Sequence, residues 1–265
     1  MEWIDKALEL IKSRVLNGIG LKSEELIAKG VPPAYAIEIA KSVDSLITGI
    51  NFTRKGLFIV ISGIDKSGKE TQAFLGGAGV VPVSEFIKGL GYNVINIMQP
   101  SYDTVLGGLV KWYLNNPNSV KTENAWMLWT LDRAQHNRRI AEWISSGGIA
   151  LAKRWTESHV VYQRAQGIDV DTILKAERNI IKQDITFVLD VNVPEVLRRL
   201  NGTGDNYENV ETLNKVRENY LRLGHMYKYG TIVYVDANGS PSEVNRTLLS
   251  IIKSYLELWS SNRRI

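Results

Sequence analysis

The stretch that most constrains this chain is Gly63-Ile64-Asp65-Lys66-Ser67-Gly68-Lys69-Glu70-Thr71, entered from the apolar run 57–61. It has the glycine and lysine spacing of a phosphate-binding loop, G-x-x-x-x-G-K, and leaves that pattern at the next position. Glycines let a backbone curl until its N–H groups face phosphate oxygens. The positive N-terminal end of a following helix adds to the attraction. An apolar strand leading into such a loop therefore predicts a phosphate site, with Lys69 reaching the β- and γ-phosphates. The residue after the lysine is usually a Ser or Thr hydroxyl that meets Mg²⁺, and here it is Glu70. The plainer alternative is a tight Gly-rich turn without a ligand.

At 265 residues there is room for one large α/β domain with an appendage, or for two small domains. No apolar run is long enough to span a membrane, and no basic segment before an apolar core suggests a signal peptide. The absence of cysteine excludes disulfides and thiolate metal sites. A cytoplasmic location is expected. The net charge of +4 favours anionic ligands without the Lys/Arg clustering of a nucleic-acid groove.

Residues 1–55 read as an all-helical extension. Trp3, Ala7, Leu10, Ile11 and Val15 recur at helical spacing, Ser23 starts a short second helix, and Pro32-Pro33 starts a third through Leu46. This segment is either a packing or dimerisation element or a partner-binding module. From residue 56 to 265 the pattern changes. Short Ile/Val-rich runs at 57–61, 93–98, 149–152, 185–189 and 232–235 alternate with helical segments, and they look buried on both faces. That alternation predicts a five-stranded parallel sheet with helices on both faces. Ligands of such sheets bind at the carboxyl ends of the strands.

The segments that follow the strands carry the candidates. The helix after the phosphate loop is broken at once by Gly76-Gly77-Ala78-Gly79, so it is one turn long or bent. A helix over 123–145 puts Trp129 and Arg133 at i, i+4, where a flat ring and a guanidinium could hold a base. The competing reading makes Trp129 core and Arg133 the partner of Asp132 or another acid. Arg154 follows the third strand, well placed for phosphate. His159 reads as pocket wall or surface, not as a ligand. The polar loop 201–208 could be a lid, and a long amphipathic helix is expected over 210–227.

From about residue 57 to 260 the chain resembles the thymidylate kinases, P-loop nucleoside monophosphate kinases. The resemblance rests on the order of its motifs: the loop with Asp65 and Thr71-Gln72, Pro100 before Thr104, and Asp132-Arg133-Ala134-Gln135-His136. Arg154 ahead of Ser158, Tyr162 and Gln163, then Val188-Leu189-Asp190, Pro194-Glu195 and Tyr207-Glu208 complete it. It implies transfer of the ATP γ-phosphate to thymidine monophosphate, small-molecule nucleotide substrates, Mg²⁺ as cofactor and a homodimer. It gives Trp129 the base-stacking position, Arg133 the base edge, Arg154 the monophosphate and Asp65 the sugar 3′-hydroxyl. Tyr162 falls against the 2′ position and Gln163 lines the pocket. Lys69, Ser67, Gly68 and the rest of loop 63–71 hold ATP, residues 236–240 lie near the adenine, and Lys66 supplies the extra in-loop cation.

The departures are local. Glu70 takes the metal-binding hydroxyl's place, and a carboxylate is a possible Mg²⁺ ligand. Lys153 takes the place of an acid that supports the metal through water, so a Glu70–Lys153 ion pair is expected at the metal site. Ser101 and Tyr102 replace an acid and an arginine after Pro100. The alternative to an active kinase is a nucleotide-binding relative with weak catalysis and a regulatory or partner-binding role.

Overall fold

The computed structural model describes residues 1, 3–77, 79–200 and 210–262. Leu57–Ser62 (β1), Val94–Met98 (β2), Ile149–Lys153 (β3), Ile185–Asp190 (β4) and Thr231–Asp236 (β5) form one parallel sheet in the order β2-β3-β1-β4-β5. The fold is a three-layer α/β/α arrangement. β1 is central, with every residue buried, and β3 and β4 flank it. The chain leaves β1 toward β2 and β3 on one side, then crosses to β4 and β5 on the other. The end of β1 is thus the switch point at which open α/β sheets bind ligands.

The two outer strands correct one expectation. β2 alternates between buried and exposed positions, and much of β5 is partly or fully exposed. Each pairs on one edge alone, so Ile/Val content there reflects the pleat's fit and not burial on both faces.

The extension forms Ile4–Asn17 (α1), Ser23–Ile27 (α2) and Pro33–Thr48 (α3). Gly18, with φ +69°, ends α1, and Pro33 sits in the first turn of α3. The rest of the chain continues with Val83–Gly89 (α4), Val105–Asn115 (α5), Thr122–Ala125 (α6), Met127–Ala134 (α7), Asn137–Ser145 (α8), Thr156–Ala165 (α9), Val170–Ala176 (α10), Val193–Leu200 (α11), Val210–Leu221 (α12), Leu223–Met226 (α13) and Pro241–Ser261 (α14).

Two long helices expected from the sequence are divided. The segment 123–145 is α6, α7 and α8. Trp126 Nε1 donates back to Glu123 O, and the turn at Gln135-His136 closes with His136 N on Arg133 O. The buried Asn137 then bonds outward, to Ser45 Oγ (3.1 Å), to Asn179 O (3.0 Å) and from Ile181 N (3.1 Å). The segment 210–227 breaks at Arg222 into α12 and α13. The lid expected at 201–208 lies outside the described residues.

α1 packs on α6, α7 and α10, and α3 packs on α5 and α7. Ile11, Val43 and Leu46 belong to the same continuous core as the sheet. Asn179 Nδ2 caps the carbonyl end of α3 at Leu46 and Ile47 (2.9 and 2.8 Å). Asp5 and Lys12 tie α1 to Lys121 and Asn124. Leu46→Ala removes a fully buried side chain from this junction and should cost about 2–5 kcal/mol. In urea denaturation the whole transition should shift as one; a separate early transition would show that the extension unfolds by itself.

Candidate active site

The loop after β1 folds as its glycines permit. At Gly63, φ is +136°, and a Cβ there would lie 2.6 Å from Leu189 O. Gly68 has φ +88°, and Lys66 is itself left-handed at +58°. A non-Gly residue in that region is uncommon, and successive turns of this kind make a concave row of N–H groups. Lys69 is buried, its Nζ donating to Ile64 O (2.5 Å) and Ser67 Oγ (3.3 Å). Burial, with Arg154 nearby, holds its pKa well below the usual lysine value, although Asp65 opposes this.

The helix that follows is one π-type turn, Thr71–Leu75, ended by Gly76. It is braced from the far end of the chain. Gln72 Nε2 donates to Pro241 O (2.9 Å), and Asn245 Nδ2 donates to Gln72 Oε1 (2.8 Å) and to Val81 O (2.9 Å). Asn245 on α14 thus clamps both the short turn and the glycine-rich insertion behind it.

β3 delivers two cations to the loop. Lys153 Nζ donates to Glu70 Oε2 at 2.8 Å, the ion pair expected from the sequence. Arg154 follows in a left-handed conformation (φ +66°), with its N–H on Ile61 O. Its Nη2 donates to Asp65 Oδ1 (2.5 Å) and to the Tyr162 hydroxyl (3.0 Å), and that hydroxyl donates to Asp65 Oδ2 (3.0 Å). Arg154 Nη1 donates to Ser158 Oγ (2.9 Å). Burial pushes the Asp65 carboxyl up, but Arg154, Lys69 and Tyr162 outweigh it and bring its pKa to about 2.

Trp129 and Arg133 project from α7 into the same space. Tyr113 meets the Trp129 ring edge-on at 5.6 Å and orients it. Arg133 is buried and paired, not with its neighbour Asp132 but with Glu177. Its Nε and Nη2 donate to Glu177 Oε1 at 3.0 and 2.6 Å. Thr130 Oγ1 donates to the same oxygen (3.0 Å), and His159 Nδ1 lies 2.8 Å from it. Burial pushes the Glu177 carboxyl up, yet Arg133 and His159 hold it below the usual range. Burial and Arg133 bring His159 down to about 4, so it is neutral at pH 7. His159 is the pocket wall the sequence suggests, with an added task of holding Glu177.

Beyond β2 the Gln99–Pro100 peptide is cis. Ser101 N donates to Asp132 Oδ2 (3.1 Å), Gln135 Nε2 to Asp132 Oδ1 (2.7 Å), and Ser101 Oγ lies 2.7 Å from His136 Nε2. Gly107 on α5 lets this corner close, because a Cβ there would fall 1.8 Å from Ser101 O.

A cavity of about 1350 Å³ runs across all these groups. Asp65, Lys66, Ser67, Gly68, Lys69, Glu70, Thr71, Trp129, Arg133, Arg154, Tyr162 and Gln163 line it, with residues 237–241 at one end. Gly63 lies beneath the loop and not on the lining. Two groups went unseen in the sequence. Glu177 could have been suspected from its place on the apolar stripe Ile173, Ala176, Ile180. Arg199 bonds Lys66 O (3.1 Å) and Ala237 O (2.7 Å), joining the loop to the far wall. Only its position in the basic last turn of α11 marked it.

A parallel α/β sheet with a glycine loop at the end of its central strand, under a cation-rich cavity, defines a P-loop nucleotide-binding phosphotransferase. The family model for thymidylate kinase matches residues 61–248. A probable thymidylate kinase of Thermococcus gammatolerans is 31% identical over 210 residues, 75% of this chain and 96% of the relative. One from Pyrococcus horikoshii is 31% identical over 211 residues, 76% of this chain and 98% of the relative. The thymidylate kinase of Plasmodium falciparum is 29% identical over 173 residues, 65% of this chain and 79% of the relative. The chain belongs to the thymidylate kinase family, and with it to the phosphotransferases. Membership implies ATP as phosphoryl donor and typically Mg²⁺. No described helix is long and apolar enough to cross a membrane.

Mg²⁺ takes oxygen ligands in near-octahedral geometry. Here the two loop carboxylates are both engaged by cations, Asp65 by Arg154 and Glu70 by Lys153. The residues present do not fit a ready-made Mg²⁺ site.

The buried Asp132 makes stability depend on pH. Burial pushes its carboxyl up to about 7, against the bonds from Ser101 and Gln135 and the charge of Arg133. An unfolded Asp titrates near 4, so the folded state holds the extra proton between those values. The resulting stability is complete below about pH 4 and is lost as pH rises through about 7. Wild type should therefore lose about 2–3 kcal/mol relative to Asp132→Asn between pH 5 and pH 8, read from urea denaturation at each pH. Parallel curves would remove Asp132 as the titrating group.

Proposed function

We propose that the protein transfers the γ-phosphate of ATP to thymidine monophosphate, giving the diphosphate. The observation that carries this reading is the Asp65–Arg154–Tyr162 cluster standing in one cavity with the phosphate loop on one side and Trp129 and Arg133 on the other. ATP lies with its phosphates over loop 63–71 and Lys69, and its adenine toward residues 237–241. The acceptor base stacks on Trp129, and Arg133, locked by Glu177, offers its remaining N–H groups to the base edge. Gln163 closes the pocket. The sugar 3′-hydroxyl meets Asp65, Tyr162 fills the 2′ position and so selects deoxyribose, and Arg154 holds the monophosphate.

Transfer needs little covalent work from the protein. An oxygen of the acceptor phosphate attacks the γ-phosphorus, the bond to the β,γ-bridging oxygen breaks, and the electron pair leaves with ADP. Lys69 and Lys66 neutralise charge on the transferred group, and Arg154 aligns the attacking oxygen. The extension 1–55 is added to the kinase domain 56–265 and packs into its core, and pairing of two copies belongs to the same reading.

Initial rates of ADP release should be fastest with thymidine monophosphate among the common nucleoside monophosphates, at about 1–100 per second. Arg154→Ala should lower kcat/KM for the acceptor by about 10²–10³-fold while ATP binding is retained. Faster turnover of a purine or ribose acceptor would overturn the assignment.

A further inference from the structure

The two cations at the end of β3 do more than Arg154's contact with an acceptor requires. Successive residues of a strand point to opposite faces. The left-handed conformation of Arg154 breaks that alternation, and both it and Lys153 reach the loop, one on Asp65 and one on Glu70. Lys69 lies near both cations and is repelled by both. Lys69 and Lys153 therefore face the loop where a triphosphate would lie, with Arg154 beside them on the acceptor side, and the carboxylate next to Lys69, Glu70, is capped by an ammonium at 2.8 Å. A divalent ion ligated by Glu70 would share that carboxylate with the Lys153 ammonium, and the two like charges would sit side by side. The ammonium already places one positive charge there, against the two of such an ion, without the cost of dehydrating Mg²⁺.

We propose that this site binds ATP as the metal-free polyanion, the Lys153 ammonium on Glu70 standing in for the divalent cation. The inference rests on the reading that loop 63–71 binds ATP. The like charges of Lys69 and Lys153 at the loop favour an arriving polyanion: burial first, then Arg154 and Lys153, lowers the Lys69 pKa, with Asp65 and Glu70 opposing. The stem of Lys153 is largely covered, its side chain 16% exposed, so the ammonium is presented from a fixed position. Glu70 holds that ammonium beside the loop and turns toward solvent, being 43% exposed.

The test is calorimetric titration of ATP into the full chain at constant ionic strength, in EDTA and in excess Mg²⁺. The wild type should bind at least as tightly in EDTA as in Mg²⁺. Lys153→Met should weaken the metal-free binding by tenfold or more. The pair of changes Glu70→Thr with Lys153→Asp should make binding at least tenfold tighter in Mg²⁺ than in EDTA. Wild-type binding that tightens tenfold or more with Mg²⁺ overturns the inference and leaves the kinase reading standing. So does a Lys153→Met protein that binds metal-free ATP as the wild type does. ATP that binds in neither buffer overturns both.

Discussion

The site depends on a strand end crossing a loop. Arg154 N–H is hydrogen-bonded to Ile61 O, so β3 is zipped to β1 up to the point where the phosphate loop begins. From there Lys153 and Arg154 each take one carboxylate of the loop, Glu70 and Asp65. Without those two acids, three cations would face one another in a partly buried space, and the low local polarity would make that costly. Without the cations, the acids would repel the phosphates that the backbone N–H groups are arranged to receive. The pairs hold the loop open in a charged but balanced form, and the neighbouring Tyr162 and Ser158 fix the guanidinium that answers both needs.

The same logic recurs deeper in the pocket. Arg133 cannot sit buried alone, and Glu177 arrives from the far end of α10 to meet it, with Thr130 and His159 on the same oxygen. The N-terminal helices serve this wall from behind. They pack on α5 and α7, the helices that carry Tyr113, Trp129 and Arg133, and α1 also packs on α10. Asn137 and Asn179 stitch α3 to the segment just after Glu177. An extension outside the matched family region thus helps to set the back of the cavity wall that carries Trp129 and Arg133, through packing and main-chain bonds.

The sheet and the loop were legible because they are local. Strand runs, the G-x-x-x-x-G-K spacing and the helix-breaking glycines act within a few residues of themselves, and the structure follows them closely. The Glu70–Lys153 pair was legible because two residues of opposite sign had exchanged places relative to the family. What the sequence hid is tertiary. Nothing near Arg133 marks Glu177, forty-four positions away, as its partner. The breaks at Gln135-His136 and Arg222 come from packing and side-chain bonds that override helical periodicity. The exposure of β5 depends on its place at the sheet edge, which composition does not encode.

In the proposed function the Asp65–Arg154–Tyr162 cluster is the acceptor-phosphate site, facing the ATP loop across one cavity. A crystal structure with thymidine and adenosine joined by a pentaphosphate would fill both sites at once. Thymine should lie on the Trp129 ring, with Arg154 bonded to the phosphate nearest thymidine and Asp65 released to the 3′-hydroxyl. Thymidine found elsewhere, with Arg154 still closed on Asp65, would contradict it.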